Sequence, residues 1–256
     1  MNTNTIAYIL TGSSPTKLGV LDLITNSLYR SECYVYEMHT FDDADTGQFF
    51  FRMEFNYRGT GEFSEESLCH QLTERASSFE VEWELRNLGT PEKVVILVSK
   101  YDHCLQDLLH RYSTGALNIE VPAIISNHPD LQKQAGWYNI PYYHLPVTPE
   151  TKVEQEAKMW DIIQQSEADL VVLARYMQVL SEDMCKKLHG QAINIHHSLL
   201  PGFKGAKPYH QAYDKGVKLV GATAHYVSQD LDEGPIISQR VEPVDYTYTT
   251  ERLIAN

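Results

Sequence analysis

Asn194, His196 and Ser198 place an amide, an imidazole and a hydroxyl in the run Asn194-Ile195-His196-His197-Ser198-Leu199-Leu200-Pro201. An amide N–H and an imidazolium on one side of a strand can hold a carbonyl oxygen as it gains negative charge. An imidazole also carries protons near neutral pH. What such a pair lacks is a carboxylate to orient or charge the ring. The stretch His225 to Ile237 (HYVSQDLDEGPII) supplies Asp230, Asp232 and Glu233 between two strand-like segments. Asn, His and Asp together suit acyl or formyl transfer through a tetrahedral intermediate. Residues two apart in a strand share a side. Asn194 and His196 are therefore expected to face together, with His197 turned away and outside the site. Asn-x-His alone is a weak signal, because a strand-end histidine is more often a structural hydrogen-bond donor.

Other chemistries fit less well. His196 and His197 point apart as adjacent strand residues, and no third ligand has metal-site spacing. Cys104 beside His103 is adjacent in sequence only, and reads as a packed helix thiol. After the apolar run Val94 to Val98 the turn is Ser99-Lys100-Tyr101-Asp102-His103, with no GxGxxG, so a dinucleotide is not expected. The net charge of −13 opposes a polyanionic partner, and no nucleic acid is expected. Cys33, Cys69, Cys104 and Cys185 form no CxxC pair, and no apolar run approaches membrane length. A reduced cytoplasmic compartment, with no membrane contact, is the simplest expectation.

The elements that must position these residues fall into two patterns. Val94–Val98, Val121–Ile125, Leu170–Leu173 and Ala192–Ile195 are apolar strands, as expected where both faces are covered. Helical spacings lie between them: Leu105, Leu108 and Leu109; Val153, Ala157, Trp160 and Ile163; and a helix opened by Ser181 as its cap. Strands over 217–227 and 236–241 follow a helix over 208–215. This is a doubly wound, Rossmann-like α/β domain over 93–256. Ligands in such sheets bind beyond the carboxyl ends of the strands, where Asn194 and His196 stand. Residues 1–86 differ. Phe49, Phe51, Met53, Phe55 and Tyr57 alternate with polar residues, and the element order reads βαββαβ, a ferredoxin-like plait. Asn87 to Glu92 (NLGTPE) reads as the linker.

The plait resembles an ACT domain, on its element order and the hairpin around Phe41-Asp42-Asp43 and Gly47–Phe55. That resemblance implies an amino-acid effector at the turn SSPTKLGVL, or a purely oligomeric role, and a homodimer or homotetramer. The second domain resembles the formyltetrahydrofolate-using hydrolase and transferase superfamily. The match is carried by RYMQVLS, NIHHSLLPGFKGAKPYHQAY and GATAHYVSQDLDEGPIISQ. It is most similar to the deformylase members. An ACT-like domain precedes it, SKYDHCLQDLL stands where a transferase has a glycine-rich phosphate loop, and ISNHPDL and IPYYHLPVT also fit.

The resemblance implies hydrolysis of 10-formyltetrahydrofolate to formate and tetrahydrofolate, within one-carbon and purine metabolism. The folate is then substrate, and no bound cofactor is expected. Asn194 and His196 would polarise the formyl carbonyl, and Asp232 would pair with His196 and activate water. His225 would support the acidic loop. Met177, Gln178, Val179 and Leu180 would line the pterin pocket, with Ser198, Leu199, Leu200, Pro201, Gln229 and Asp230 closing around the folate. Lys100 and His103 would shape the water side, and Lys204 and Lys207 would meet the glutamate tail. Ending at Asn256, the chain looks shortened at its C-terminus, since family members continue with further helix and a strand. Formyl transfer to an amine acceptor, or a weakly catalytic folate- or amino-acid-responsive regulator, are the alternatives.

Overall fold

The computed structural model describes residues 6–203, 208–245 and 247–250. The chain forms two units, Met1–Pro91 and Glu92–Asn256.

The first unit contains β1 (Ala7–Pro15), α1 (Val20–Arg30), β2 (Cys33–Asp43), β3 (Gln48–Tyr57), α2 (Glu65–Ala76) and β4 (Glu82–Asn87). Its antiparallel sheet has the order β2-β3-β1-β4, the ferredoxin-like plait expected from the alternation. Phe51, Met53 and Phe55 bury one face of β3 against Val20, Leu23, Ile24 and Leu28 of α1 and Leu68 and Leu72 of α2. Gly12 is required inside β1, since a Cβ there would collide with the Glu82 carbonyl and the Phe51 ring. The first helix starts later than the leucine spacing suggests. Leu18 is fully exposed, and Gly19 at φ 99° precedes the helix, a backbone only glycine adopts without strain. β2 also runs further, to Asp43, because the Asp43 carboxylate accepts from Asp45 N–H and the Thr46 hydroxyl and so closes the turn itself.

The second unit contains β5 (Glu92–Val98), α3 (His103–Ser113), β6 (Ile119–Glu120), β7 (Ile124–Ser126), α4 (Gln132–Trp137), β8 (Tyr142–His144), α5 (Lys152–Gln165), β9 (Leu170–Leu173), α6 (Glu182–Lys187), β10 (Ala192–His196), α7 (Pro208–Asp214), β11 (Leu219–Tyr226) and β12 (Ile236–Pro243). The sheet order is β12-β11-β10-β9-β5-β7-β8, with β6 beside β5. The strands from β8 to β10 are parallel, and β11 and β12 are antiparallel additions. The expected strand over 121–125 divides around Pro122, which has no N–H to give a ladder.

Helices cover both faces, as the continuous apolar strands require. Val94, Ile96 and Val98 pack with Leu105 and Leu109 of α3 and Ala135 of α4. Val95 and Leu97 pack with Met159 and Ile163 of α5 and Met184 of α6. Ser181 caps α6 as its position predicted, accepting from Met184 N–H at 3.2 Å. From β5 the chain first winds outward to β7 and β8, then returns on the other side through β9 and β10. The loops leaving β5 and β9 therefore diverge, and a crevice opens at their carboxyl ends.

Candidate active site

β10 and β11 place the first two groups. Asn194 is paired with His225 across the antiparallel ladder, so both side chains lie on one face. His225 Nδ1 is 2.8 Å from the Tyr226 carbonyl. A carbonyl only accepts, so Nδ1 carries a proton and Nε2 faces Asn194. Asn194 Nδ2 lies 3.2 Å from that Nε2 and donates to it. One amide proton is thereby fixed and the other is left for a ligand.

His196 closes β10 and is buried, as are His225 and Asp232. Asp232 arrives from the loop between β11 and β12, with φ 58° in the left-handed region. That loop turns hard against β11. Tyr226 N–H donates to the Pro235 carbonyl, and Gly234 lies so close to the Tyr226 carbonyl that no Cβ fits. Asp232 Oδ2 sits 3.4 Å from His196 Nδ1, and its Oδ1 is 3.8 Å from His225 Nε2, beyond hydrogen-bond reach. His196 Nε2 donates to the Phe203 carbonyl at 3.1 Å. Burial alone would lower the His196 pKa. The Asp232 hydrogen bond and charge, with the Phe203 carbonyl, outweigh it and raise the pKa above the ordinary histidine value. The paired carboxylate thus favours the protonated ring.

These groups face a cleft of about 290 Å³. The loop after β9 contributes Arg175, Met177, Gln178, Val179 and Leu180, and the far wall is Val227, Gln229, Leu231 and Asp232. That loop is pinned from below: Met177 N–H donates to the buried Ser99 hydroxyl, which donates to Asn127 Oδ1. Of the residues proposed from sequence, Asn194, His196, Asp232, His225, Gln229 and the 177–180 segment meet in this cleft.

Others do not. Ser198, Leu199, Leu200, Pro201 and Asp230 are absent from its lining. The Thr223 hydroxyl donates to the Ser198 carbonyl and accepts from Leu200 N–H, while Gln239 donates to the Leu200 carbonyl. These bonds brace the segment against β11 and β12 and fix the end of β10. Asp230 is exposed, and its carbonyl accepts from the Ser228 hydroxyl. Lys100 is exposed and outside the cleft. His103 is outside that lining but stands with Cys104 and Asp107 in a second depression on the α3 side of the sheet, which shares Asn194 and Ile195 with the cleft. Lys204 and Lys207 lie outside the described residues. Burial pushes the Cys104 thiol pKa up, as a packed cysteine requires.

His197 contradicts the alternation argument. It lines the same cleft as His196, with ring centroids 5.5 Å apart. β10 ends at His196, so strand alternation no longer governs the next residue. Burial, with Arg175 and His196 adding repulsion, brings its pKa down to about 4, and the ring is neutral. Arg175, Ser99 and Asn127 went unread in the sequence. A serine directly after a buried strand was the available signal for Ser99. For Arg175 it was a cation inside an otherwise apolar run.

An amide donor, a histidine paired with a buried carboxylate and an apolar cleft define a class: acyl-group chemistry through an oxyanion at the crevice of a doubly wound sheet. The formyl transferase family model matches residues 92–256. The chain is 46% identical to a formyltetrahydrofolate deformylase of Corynebacterium sp. (strain P-1), over 98% of this chain and 87% of the relative. It is 42% identical to the Escherichia coli (strain K12) formyltetrahydrofolate deformylase, over 94% and 84%. The crystal structure of a formyltetrahydrofolate deformylase from Pseudomonas putida KT2440 superposes with TM-score 0.90 at 54% identity, covering 97% of this chain and 88% of that one. A phosphoribosylglycinamide formyltransferase from Coxiella burnetii superposes over only 64% of this chain and 79% of its own, with TM-score 0.60 and 32% identity. The chain belongs to the formyl transferase family, among the formyltetrahydrofolate deformylases.

Proposed function

We propose that the cleft hydrolyses 10-formyltetrahydrofolate to formate and tetrahydrofolate. The observation that carries this reading is the convergence of Asn194, His196 and Asp232 on one cleft in a chain akin to deformylases across both units. The pterin lies against the 177–180 segment. The formyl oxygen takes the free amide proton of Asn194 and shares or replaces the Phe203 carbonyl as acceptor for His196 Nε2–H. Water attacks the formyl carbon, and Asp232 accepts one of its protons as the oxyanion forms. The intermediate collapses by breaking the C–N10 bond, and that proton passes to N10. Formic acid, a stronger acid than water, leaves as formate and releases the remaining proton. The folate is the substrate, and the reading calls for no bound cofactor.

Release of formate from 10-formyltetrahydrofolate, measured without any amine, tests the reading. Formate that appears only when glycinamide ribonucleotide or another amine is added would mean transfer instead. The span of the similarity favours hydrolysis, because deformylases align with nearly the whole chain and the transferase with about its second unit.

The plait is read as an ACT-like module that brings copies of the chain together as a dimer or tetramer. Its turn after β1 is the place for an amino-acid effector. There Thr16 donates to Asp42 and to the Gly47 carbonyl, which ties the turn to the β2–β3 hairpin. Calorimetry with free amino acids and sizing by light scattering test the two halves of this reading. All four cysteines are free, which supports a reducing, cytoplasmic setting. Among the described residues no helix is long and apolar enough to cross a membrane.

A further inference from the structure

Arg175 leaves β9 at the switch point, where its backbone holds φ 63°, a left-handed conformation that is strained for any residue but glycine. Arg175 lines the catalytic cleft, and its guanidinium lies 5.2 Å from the Tyr101 ring on the loop after β5. Its Nε is buried and has no hydrogen-bond partner among the described residues. Among the described residues no acid forms an ion pair with it. Asp232 is engaged by His196, and Asp102 accepts from the amides of Gln106 and Gln134. The groups that feel its charge are His103, Cys104, His196, His197 and Tyr209. None of these is an anion. A half-buried guanidinium without a counter-ion is costly, and the cost is relieved only when an anion arrives.

The substrate's own carboxylates sit on its glutamate tail, a benzoyl ring away from the formyl group. Hydrolysis creates one anion at the reacting carbon, and it is formate. We propose that Arg175 is the seat for formate as it leaves the formyl carbon. A planar carboxylate matches the guanidinium fork and can accept from its two terminal nitrogens together. Transfer to an amine would give a neutral formamide and leave Arg175 without a counter-ion. The seat therefore rests on the hydrolytic reading and gives it an acceptor-side residue specific to water as the nucleophile.

The test binds ¹³C-formate to the full chain in the absence of folate, followed by NMR line broadening with chloride-matched controls. Formate inhibition of turnover is measured in parallel. Wild type should bind formate above the chloride control. Arg175→Met should weaken both binding and inhibition by roughly tenfold to a hundredfold, the loss expected for hydrogen bonds between charged groups. Arg175→Lys should fall between them, because it keeps the charge and loses the fork. Thermal melts show whether each variant is folded, and if Arg175→Met is not, Arg175→Lys alone decides. Formate binding equal in wild type and the folded variants, or wild-type binding no better than chloride, overturns the seat. The binding arm needs no turnover. Arg175-dependent formate binding without any deformylation sinks the hydrolytic reading alone, and deformylation with Arg175-independent formate binding sinks the seat alone.

Discussion

Asp232→Asn removes the charge that favours the protonated His196 ring while keeping the size of the side chain. The carboxylate oxygen and ring nitrogen are 3.4 Å apart, and both side chains are about 5% exposed. At an effective dielectric of about 20, that distance gives roughly 5 kcal/mol of gross attraction. Burial of both groups offsets much of it. In the native site the hydrogen bond and charge of Asp232 outweigh burial and the His196 pKa is raised. With Asn at 232 the burial remains, and the pKa is expected to drop below the ordinary histidine value. The imidazolium that steadies the oxyanion is then scarce at neutral pH, and the acceptor for water's proton is gone. We expect kcat to fall by about 10²–10⁴, the range for a positioned acid–base group. The pH profile separates this from a folding defect. Wild-type activity should decline as pH rises through the raised His196 pKa, and in the variant that decline should move to lower pH. Stability follows the same sign. A raised histidine pKa adds stability that is fully present below the unfolded value of about 6.5 and is lost as pH rises through the folded value. The stability gap between wild type and variant should therefore narrow at alkaline pH. Histidine ¹⁵N shifts and urea midpoints read both. An unmoved alkaline limb, or undiminished kcat, would refute the charge-pair argument.

Asn194→Ala removes one oxyanion donor and should lower kcat by about 10²–10³ with little change in KM, as read by steady-state formate release. His225→Ala leaves Asn194 in place but frees its amide to rotate. A smaller kcat loss at nearly constant KM is expected, and a KM effect alone would mean His225 serves binding instead. His197, with its pKa near 4, binds a proton less readily folded than unfolded, so stability falls as pH drops from about 6.5 towards 4. His197→Asn should flatten that acid loss by up to about 3 kcal/mol, checked by urea midpoints at neutral and acid pH. Thr223→Val keeps the shape and orphans the buried Leu200 N–H and Ser198 carbonyl, at a cost of about 2–3 kcal/mol in chemical denaturation.

Both architectures could be read from one-dimensional pattern because their strands obey simple burial rules. Phe51, Met53 and Phe55 alternate since β3 has one covered face, while Val94–Val98 is continuous since β5 has two. What stayed hidden depended on backbone chemistry too local for periodicity. Pro122 splits one expected strand in two, and β8, Tyr142–His144, is too short to show any period. Gly19 and the Asp43 turn shift boundaries through φ and a side-chain hydrogen bond, neither of which the apolar spacing encodes.

The site divides along the same line. Asn194, His196 and Asp232 were legible because chemistry demanded an amide, an imidazole and a carboxylate, and strand and loop could bring them together. The bracing of the Ser198–Pro201 run was not legible, because its partners lie far away in the chain. Only the three hydrogen bonds converging on Thr223, from another strand, reveal a strut. His197 was misassigned because alternation was carried one residue past the end of β10. Arg175 was invisible for a deeper reason. In LVVLARYMQVL an arginine reads as a solvated interruption, and its meaning comes from where β9 stands in the sheet order. The winding reverses between β5 and β9, so the residue just past β9 opens into the crevice instead of onto a covered face. A left-handed backbone then turns its side chain inward. Topology, not residue type, converts that cation from surface to site, and a reading by composition and period passes over residues whose position in the sheet order gives them their role.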